Sequence, residues 1–202
     1  MEQNFKKAVI ITGPRFQDHE YIYPYYRLQE AGFKLDIATK NKETVLGDFG
    51  TPAVATMDTA DLKNADFDLI VLPGGAKALE KVRQEKVVID FLKEMHDKKR
   101  IIAGVCHGPQ LMISAGILKG KRATAYYSIK DDIRNAGAEY VDAPRERLRG
   151  PLCGPIREPA RSASKGTSGS QSSFNRGTLI VAFVMGPFAP RLRCFLSRRM
   201  II

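Results

Sequence analysis

Residues 103–110 read AGVCHGPQ. Gly104 and Gly108 stand two positions either side of Cys106, and His107 follows it directly. That spacing is the signature of a nucleophile elbow, a sharp turn from strand into helix. Such a turn has no room for a Cβ at either glycine and pushes the nucleophile out past the sheet edge. The free N–H groups of the following helix then face the sulfur. They favour thiolate over thiol and are expected to lower its pKa from about 8.5. The same groups suit a developing oxyanion. The plainer alternative is a small apolar residue at a crowded turn, since free cysteine is commonly buried.

A thiol nucleophile needs a base, and the chain has three histidines: His19, His96 and His107. None lies beyond residue 107, which excludes the order nucleophile, acid, distant histidine. His96 falls on a charged helix end and reads as solvated. His19 stands beside a presumed helix start and reads as a surface residue. His107 is the candidate coupled to Cys106 by sequence. Asp18, His19 and Glu20 are consecutive, so they do not converge on one ion, and no metal is expected. "LPGGAK" (72–77) lacks both GxxxxGK[ST] and GxGxxG, so no nucleotide cofactor is expected either. Its backbone N–H groups are suited instead to completing an anion hole.

These residues need elements to position them. "AVIITG" (8–13), "DLIVLPGG" (68–75) and "RIIAGVC" (100–106) are continuous apolar runs of the kind found in buried parallel strands, and "FKLDIAT" (33–39) alternates as a strand does. Residues 18–32 read as a helix opening at Asp18 and closing at Gly32, with Pro24 implying a kink or a late start. Residues 86–100 carry Val87, Phe91, Leu92 and Met95 at helical spacing, and 109–118 form a helix opened by Pro109. Alternating strands and helices predict a parallel sheet covered on both faces. Right-handed crossovers bring the strand ends to one edge, where ligands bind.

The chain has 202 residues and a formal net charge of +10. The charge is unevenly placed. Residues 1–144 hold 21 Lys+Arg against 20 Asp+Glu, and residues 145–202 hold 11 against 2. Basic residues are mostly Lys before that seam and almost all Arg after it. Residues 1–144 therefore read as one α/β domain. Residues 145–202 read as an Arg/Ser-rich tail, disordered or translated in a shifted frame. Nucleic acid is not an expected partner of the domain; the basic tail alone has the charge for phosphate contacts. Three scattered cysteines form no disulfide framework and point to a reducing cytoplasm. The longest apolar stretch, near 178–189, is too short to span a bilayer.

"VCHGPQLMISAGILKGKRATAY", "LIVLPGG", "EYIYPYYRLQEAGF" and "IKDDIRNAGAEYVDA" occur in that chain with a wider meaning. Together these blocks resemble the PfpI-type intracellular cysteine proteases. Their superfamily includes the Parkinson-associated deglycase and the class I glutamine amidotransferase-like proteins. The resemblance covers about residues 7–144. It implies a flavodoxin-like three-layer α/β sandwich, with Cys106 as nucleophile and His107 as its base. It implies that Glu20 meets the cysteine, and that Glu80 orients the histidine of a neighbouring subunit in a homo-oligomer. Gly75 and His107 would give backbone N–H groups to the oxyanion hole. The chain departs from the family at Tyr126-Tyr127, where Tyr-Pro is usual, and after residue 144, where the family's last strand and helix are missing. The implied activity is a cysteine hydrolase acting on peptide bonds or on glycated and aldehyde adducts. The alternative is a redox-sensing stress protein without turnover.

Overall fold

A computed structural model describes residues 6–142 and the backbone of two further strands, 145–148 and 180–183. In chain order the elements are β1 (Lys7–Ile11), α1 (Asp18–Glu30), β2 (Lys34–Thr39), β3 (Val45–Leu46), β4 (Pro52–Ala53) and β5 (Met57–Asp58). Next come β6 (Leu69–Leu72), α2 (Ala76–Val82), α3 (Lys86–Asp97), β7 (Ile101–Val105), α4 (Pro109–Ser114) and β8 (Arg122–Ala123). The last are α5 (Lys130–Asn135), β9 (Glu139–Tyr140), β10 (Arg145–Leu148) and β11 (Ile180–Phe183).

The apolar runs become the centre of the sheet. Ala8–Ile11, all of β6 and Ile102–Val105 are buried. The seven strands lie in the order β10-β11-β7-β6-β1-β2-β5, parallel except for the β10–β11 pair. Leaving aside the two-residue edge strand β5, the parallel strands β2-β1-β6-β7-β11 run 2-1-3-4-5 in chain order, the flavodoxin-like winding. The order reverses between β1 and β6, and the carboxyl ends of β1, β6 and β7 meet at that point. Ligands of doubly wound sheets bind at such a crevice. Helix α3 turns Val88, Phe91, Leu92 and Met95 inward, so its buried stripe is set by Val88 where the sequence suggested Val87.

Two helices differ from the sequence reading. Helix α1 begins at Asp18 as expected but runs unbroken through Pro24, which is buried. Packing of Tyr21, Pro24 and Leu28 against the sheet outweighs the one amide that proline removes. Helix α4 ends at Ser114 rather than 118. Gly116, at φ 69°, lets its N–H reach the Ile113 carbonyl and the Ile117 N–H reach the Met112 carbonyl, closing the helix.

The tail reading also meets the structure at two places. β11 pairs with the nucleophile strand, Ala182 beside Gly104 and Phe183 beside Val105, and β10 pairs with β11. Two stretches beyond residue 144 thus take places in the sheet, and β7 has a neighbour on each side. The rest of 145–202, with Cys153 and Cys194, lies outside the described residues. Among the described residues no helix is long and apolar enough to cross a membrane.

Candidate active site

Strand β7 delivers Cys106 at φ 55°, in the left-handed region. A side chain there costs on the order of 1–3 kcal/mol. Its neighbours hold it in place. The Gly108 N–H donates to the Val105 carbonyl at 2.6 Å, and the Tyr126 N–H donates to the Cys106 carbonyl at 2.9 Å. The flanking glycines are required by contact. A Cβ on Gly104 would lie 2.8 Å from Met112 Cε and 3.2 Å from Pro109 N. One on Gly108 would collide with the Leu72 carbonyl and lie 2.8 Å from Val105 N. The elbow expected from the five-residue pattern is therefore formed, and for the steric reason expected.

The end of β6 supplies the opposite wall. The Gly74 N–H donates to Glu20 Oε2 at 2.7 Å. A Cβ on Gly74 would collide with that oxygen and come 2.8 Å from Cys106 Cβ and 3.0 Å from His107 N. Gly75, at φ 104°, packs against the main chain of residues 15–17, and the Gln17 N–H donates to the Gly74 carbonyl at 3.1 Å. Glu20 sits in the first turn of α1 and is 5% exposed. Asp18, one turn-face away, is 1% exposed and accepts the Phe49 and Thr51 N–H groups, each at 2.9 Å. Burial works to raise its pKa, but those bonds and one from the Thr51 hydroxyl prevail and hold it below the ordinary carboxylate value.

The electrostatics correct one expectation. Burial, and after it the charge of Glu20, pushes the Cys106 thiol up to about 12, against the His107 backbone N–H, which favours thiolate. The sequence alone suggested a lowered thiol. The resemblance brought Glu20 to the cysteine; burial of both groups, and the charge of an ionised Glu20, turn the shift upward. Burial likewise lifts Glu20 to about 7, opposed by its bonds from Gly74 and Cys106. The two groups titrate as a pair. With the proton on Glu20 the like-charge repulsion vanishes, and the carboxyl O–H becomes a donor to the sulfur.

His107 Nδ1 lies 3.3 Å from Cys106 Sγ, so adjacent residues do meet here. Burial lowers the imidazole pKa, which keeps the ring neutral and able to accept a proton. The His107 ring lies 5.0 Å from that of Tyr126, centroid to centroid. The structure thus gathers Cys106, His107, Glu20 and the Gly74-Gly75 turn.

Other nominated residues lie elsewhere. Glu80 is exposed on α2, and among the described residues no hydrogen bond or ion pair joins its side chain to His107. His19 is exposed, its ring 6.3 Å from Phe49. His96 is half-buried beside Asp97 rather than solvated. Gly74 and Asp18 were not picked out as site residues by sequence. The glycine pair after a strand and the Asp-x-Glu spacing in a first helical turn were the available signals. Among the described residues no group of His, Cys, Asp and Glu is placed to hold a metal.

A strained cysteine at the switch point of a doubly wound sheet, beside a buried carboxyl, defines a flavodoxin-like α/β protein with a cysteine elbow. Residues 6–152 match the DJ-1/PfpI family, and the chain belongs to it. A deglycase of Pyrococcus horikoshii is 40% identical over 137 residues, 68% of this chain and 82% of that relative. General stress protein 18 of Bacillus subtilis is 39% identical over 140 residues, 68% of this chain and 80% of that protein. The fold is shared with the crystal structure of Drosophila melanogaster DJ-1beta, at TM-score 0.68 and 22% identity, covering 90% of this chain and 82% of that one.

Proposed function

We propose that the protein is a cysteine hydrolase that removes small dicarbonyl adducts from amines and thiols, with Cys106 as nucleophile. The observation that carries this reading is the placement of Cys106 Sγ 3.3 Å from His107 Nδ1, on an elbow packed against Gly74, whose N–H holds the buried Glu20. The similarity to a relative named as a deglycase supports the choice of substrate.

For a methylglyoxal-derived aminocarbinol the steps balance as follows. The Cys106 sulfur displaces the amine from the hydroxyl-bearing carbon. A C–S bond forms, a C–N bond breaks, and the amine leaves with the proton that His107 took from the thiol. The hydrogen on that carbon then moves as a proton to the adjacent carbonyl carbon through an enediol, with His107 and Glu20 as the exchanging groups. The product is a lactoyl thioester. Water cleaves it, releasing lactate and restoring the thiol. The reaction is redox-neutral overall and needs no cofactor.

The test is lactate release from methylglyoxal adducts of N-acetylarginine and N-acetylcysteine, with casein as the peptide-bond alternative, each against Cys106→Ser. Full activity of Cys106→Ser on the adducts refutes the reading. Cleavage of casein alone moves the protein to a peptidase.

A second reading is favoured by one fact: Cys106 is half-exposed and free. It is a redox sensor, in which mild peroxide oxidises that sulfur and no adduct is turned over. Mass spectrometry after peroxide, run beside the lactate assay, separates the two.

We also propose that the protein works as a homo-oligomer in a reducing cytoplasm, with the exposed Glu80 reaching the His107 of a second copy. Light scattering and activity across a dilution series test this. A fully active monomer overturns it.

A further inference from the structure

Tyr127 is 66% exposed although it is built directly onto the elbow. The preceding residue, Tyr126, is tied to Cys106 by its N–H. The Tyr126 ring lies 5.0 Å from His107 at 35°, and the Tyr127 ring lies 4.5 Å from Tyr126 at 50°. Three rings therefore step outward from the nucleophile's own neighbour to solvent. The core does not account for the outermost one, since most of its surface stays in water. An aromatic face beside a reactive carbon offers a seat for a planar group, and above all for a cation. The adjoining Glu20–Cys106 pair is anionic once its shared proton is lost, which favours a cation further.

We propose that Tyr127 is a specificity-determining residue: its ring receives the guanidinium of an arginine-derived adduct while the hydroxyl-bearing carbon reaches Cys106. This rests on the reading that Cys106 attacks carbonyl adducts, and it names arginine adducts, over neutral cysteine hemithioacetals, as the preferred class.

The experiment measures alkylation of Cys106 by two bromoacetamides of equal length, one ending in a guanidinium and one in a neutral urea, with mass spectrometry as the readout. The wild type is expected to react about two- to fivefold faster with the guanidinium probe. Tyr127→Ala is expected to bring that preference close to one by slowing the guanidinium probe more than the urea probe, and Tyr127→Phe to retain it. Equal slowing of both probes in Tyr127→Ala, or a preference that survives it, overturns the proposal. A parallel assay compares KM for the methylglyoxal adducts of N-acetylarginine and N-acetylcysteine. Only the arginine value is expected to rise in Tyr127→Ala. If the wild type turns over neither adduct, the hydrolase reading fails, and the alkylation ratio still decides the role of Tyr127.

Discussion

Glu20 and Cys106 both press on Gly74: the Gly74 amide bonds the carboxyl at 2.7 Å, and a methyl group on its Cα would stand 2.8 Å from Cys106 Cβ. Two elements far apart in sequence are thereby held on one proton. The acid comes from the first turn of α1 and the sulfur from the end of β7. The backbone amide between them fixes the carboxyl without neutralising it.

The pair has a consequence for stability. Glu20 rises from 4.5 to about 7 in the fold, so between those values the folded chain holds a proton that the unfolded chain has lost. Stability must fall as pH rises through that window, by on the order of 3 kcal/mol across it. Urea unfolding of the wild type from pH 4.5 to 7.5 is expected to show this decline, and Glu20→Gln to flatten it. A wild-type profile that climbs with pH contradicts the burial of the carboxyl.

The same substitution acts on the sulfur. Glutamine removes the charge that opposes ionisation and presents an N–H donor in its place. Thiolate absorbance is expected to appear at lower pH in Glu20→Gln than in the wild type, whose thiol sits near 12 while Glu20 is charged. An unchanged titration would show that Glu20 does not sense Cys106. Turnover is nonetheless expected to fall, because glutamine cannot exchange the proton.

Cys106 occupies a left-handed conformation that suits glycine. Cys106→Gly is therefore expected to be more stable than Cys106→Ala by about 1 kcal/mol, although both lose turnover by about a thousandfold or more. Paired denaturation curves measure the first effect and the adduct assay the second. Alanine matching or exceeding glycine would mean the elbow carries no strain.

Gly74→Ala is expected to destabilise the protein by about 1–3 kcal/mol and to abolish activity, since a side chain there meets the carboxyl oxygen, the cysteine and the His107 amide together. Gly32 is the control. It lies at φ 78° with open space around its Cα, so alanine there is expected to cost about 1 kcal/mol and to leave kcat unaltered. Comparable kcat in both variants would refute the packing described at Gly74.

Asp18 secures the segment from Gly47 to Thr51 through the Phe49 and Thr51 amides. Asp18→Ala is expected to leave those donors unpaired at a cost of about 1–3 kcal/mol and to speed their hydrogen exchange. Exchange confined to the rest of the chain would show that the clasp does not hold in solution.

The parts legible in the sequence were those with local causes. Buried parallel strands show as apolar runs, and β1, β6 and β7 could be placed for that reason. The elbow was legible because its glycines answer largely to contacts within a few residues of Cys106, with Val105, Pro109 and Met112, although the tightest one at Gly108 is the distant Leu72 carbonyl. What escaped has non-local causes. The two-residue strands between Val45 and Asp58 have no period to detect. The passage of α1 through Pro24 depends on the sheet beneath it. The direction of the Cys106 shift comes first from burial and then from Glu20, and both are properties of the winding. The family resemblance pointed to Glu20, but burial and charge together determine what it does there.

Gly75 meets residues 15–17 main chain to main chain, with Gly74 joined to Gln17 by a backbone hydrogen bond. Side-chain identity matters little at such a junction, so the frame of the reaction centre does not depend on the residues that line its mouth. On the reading proposed for Tyr127, a substitution there redirects substrate choice without re-aiming the sulfur. That separation gives evolution, or an engineer, room to change what meets the sulfur while the geometry that holds the sulfur stays put.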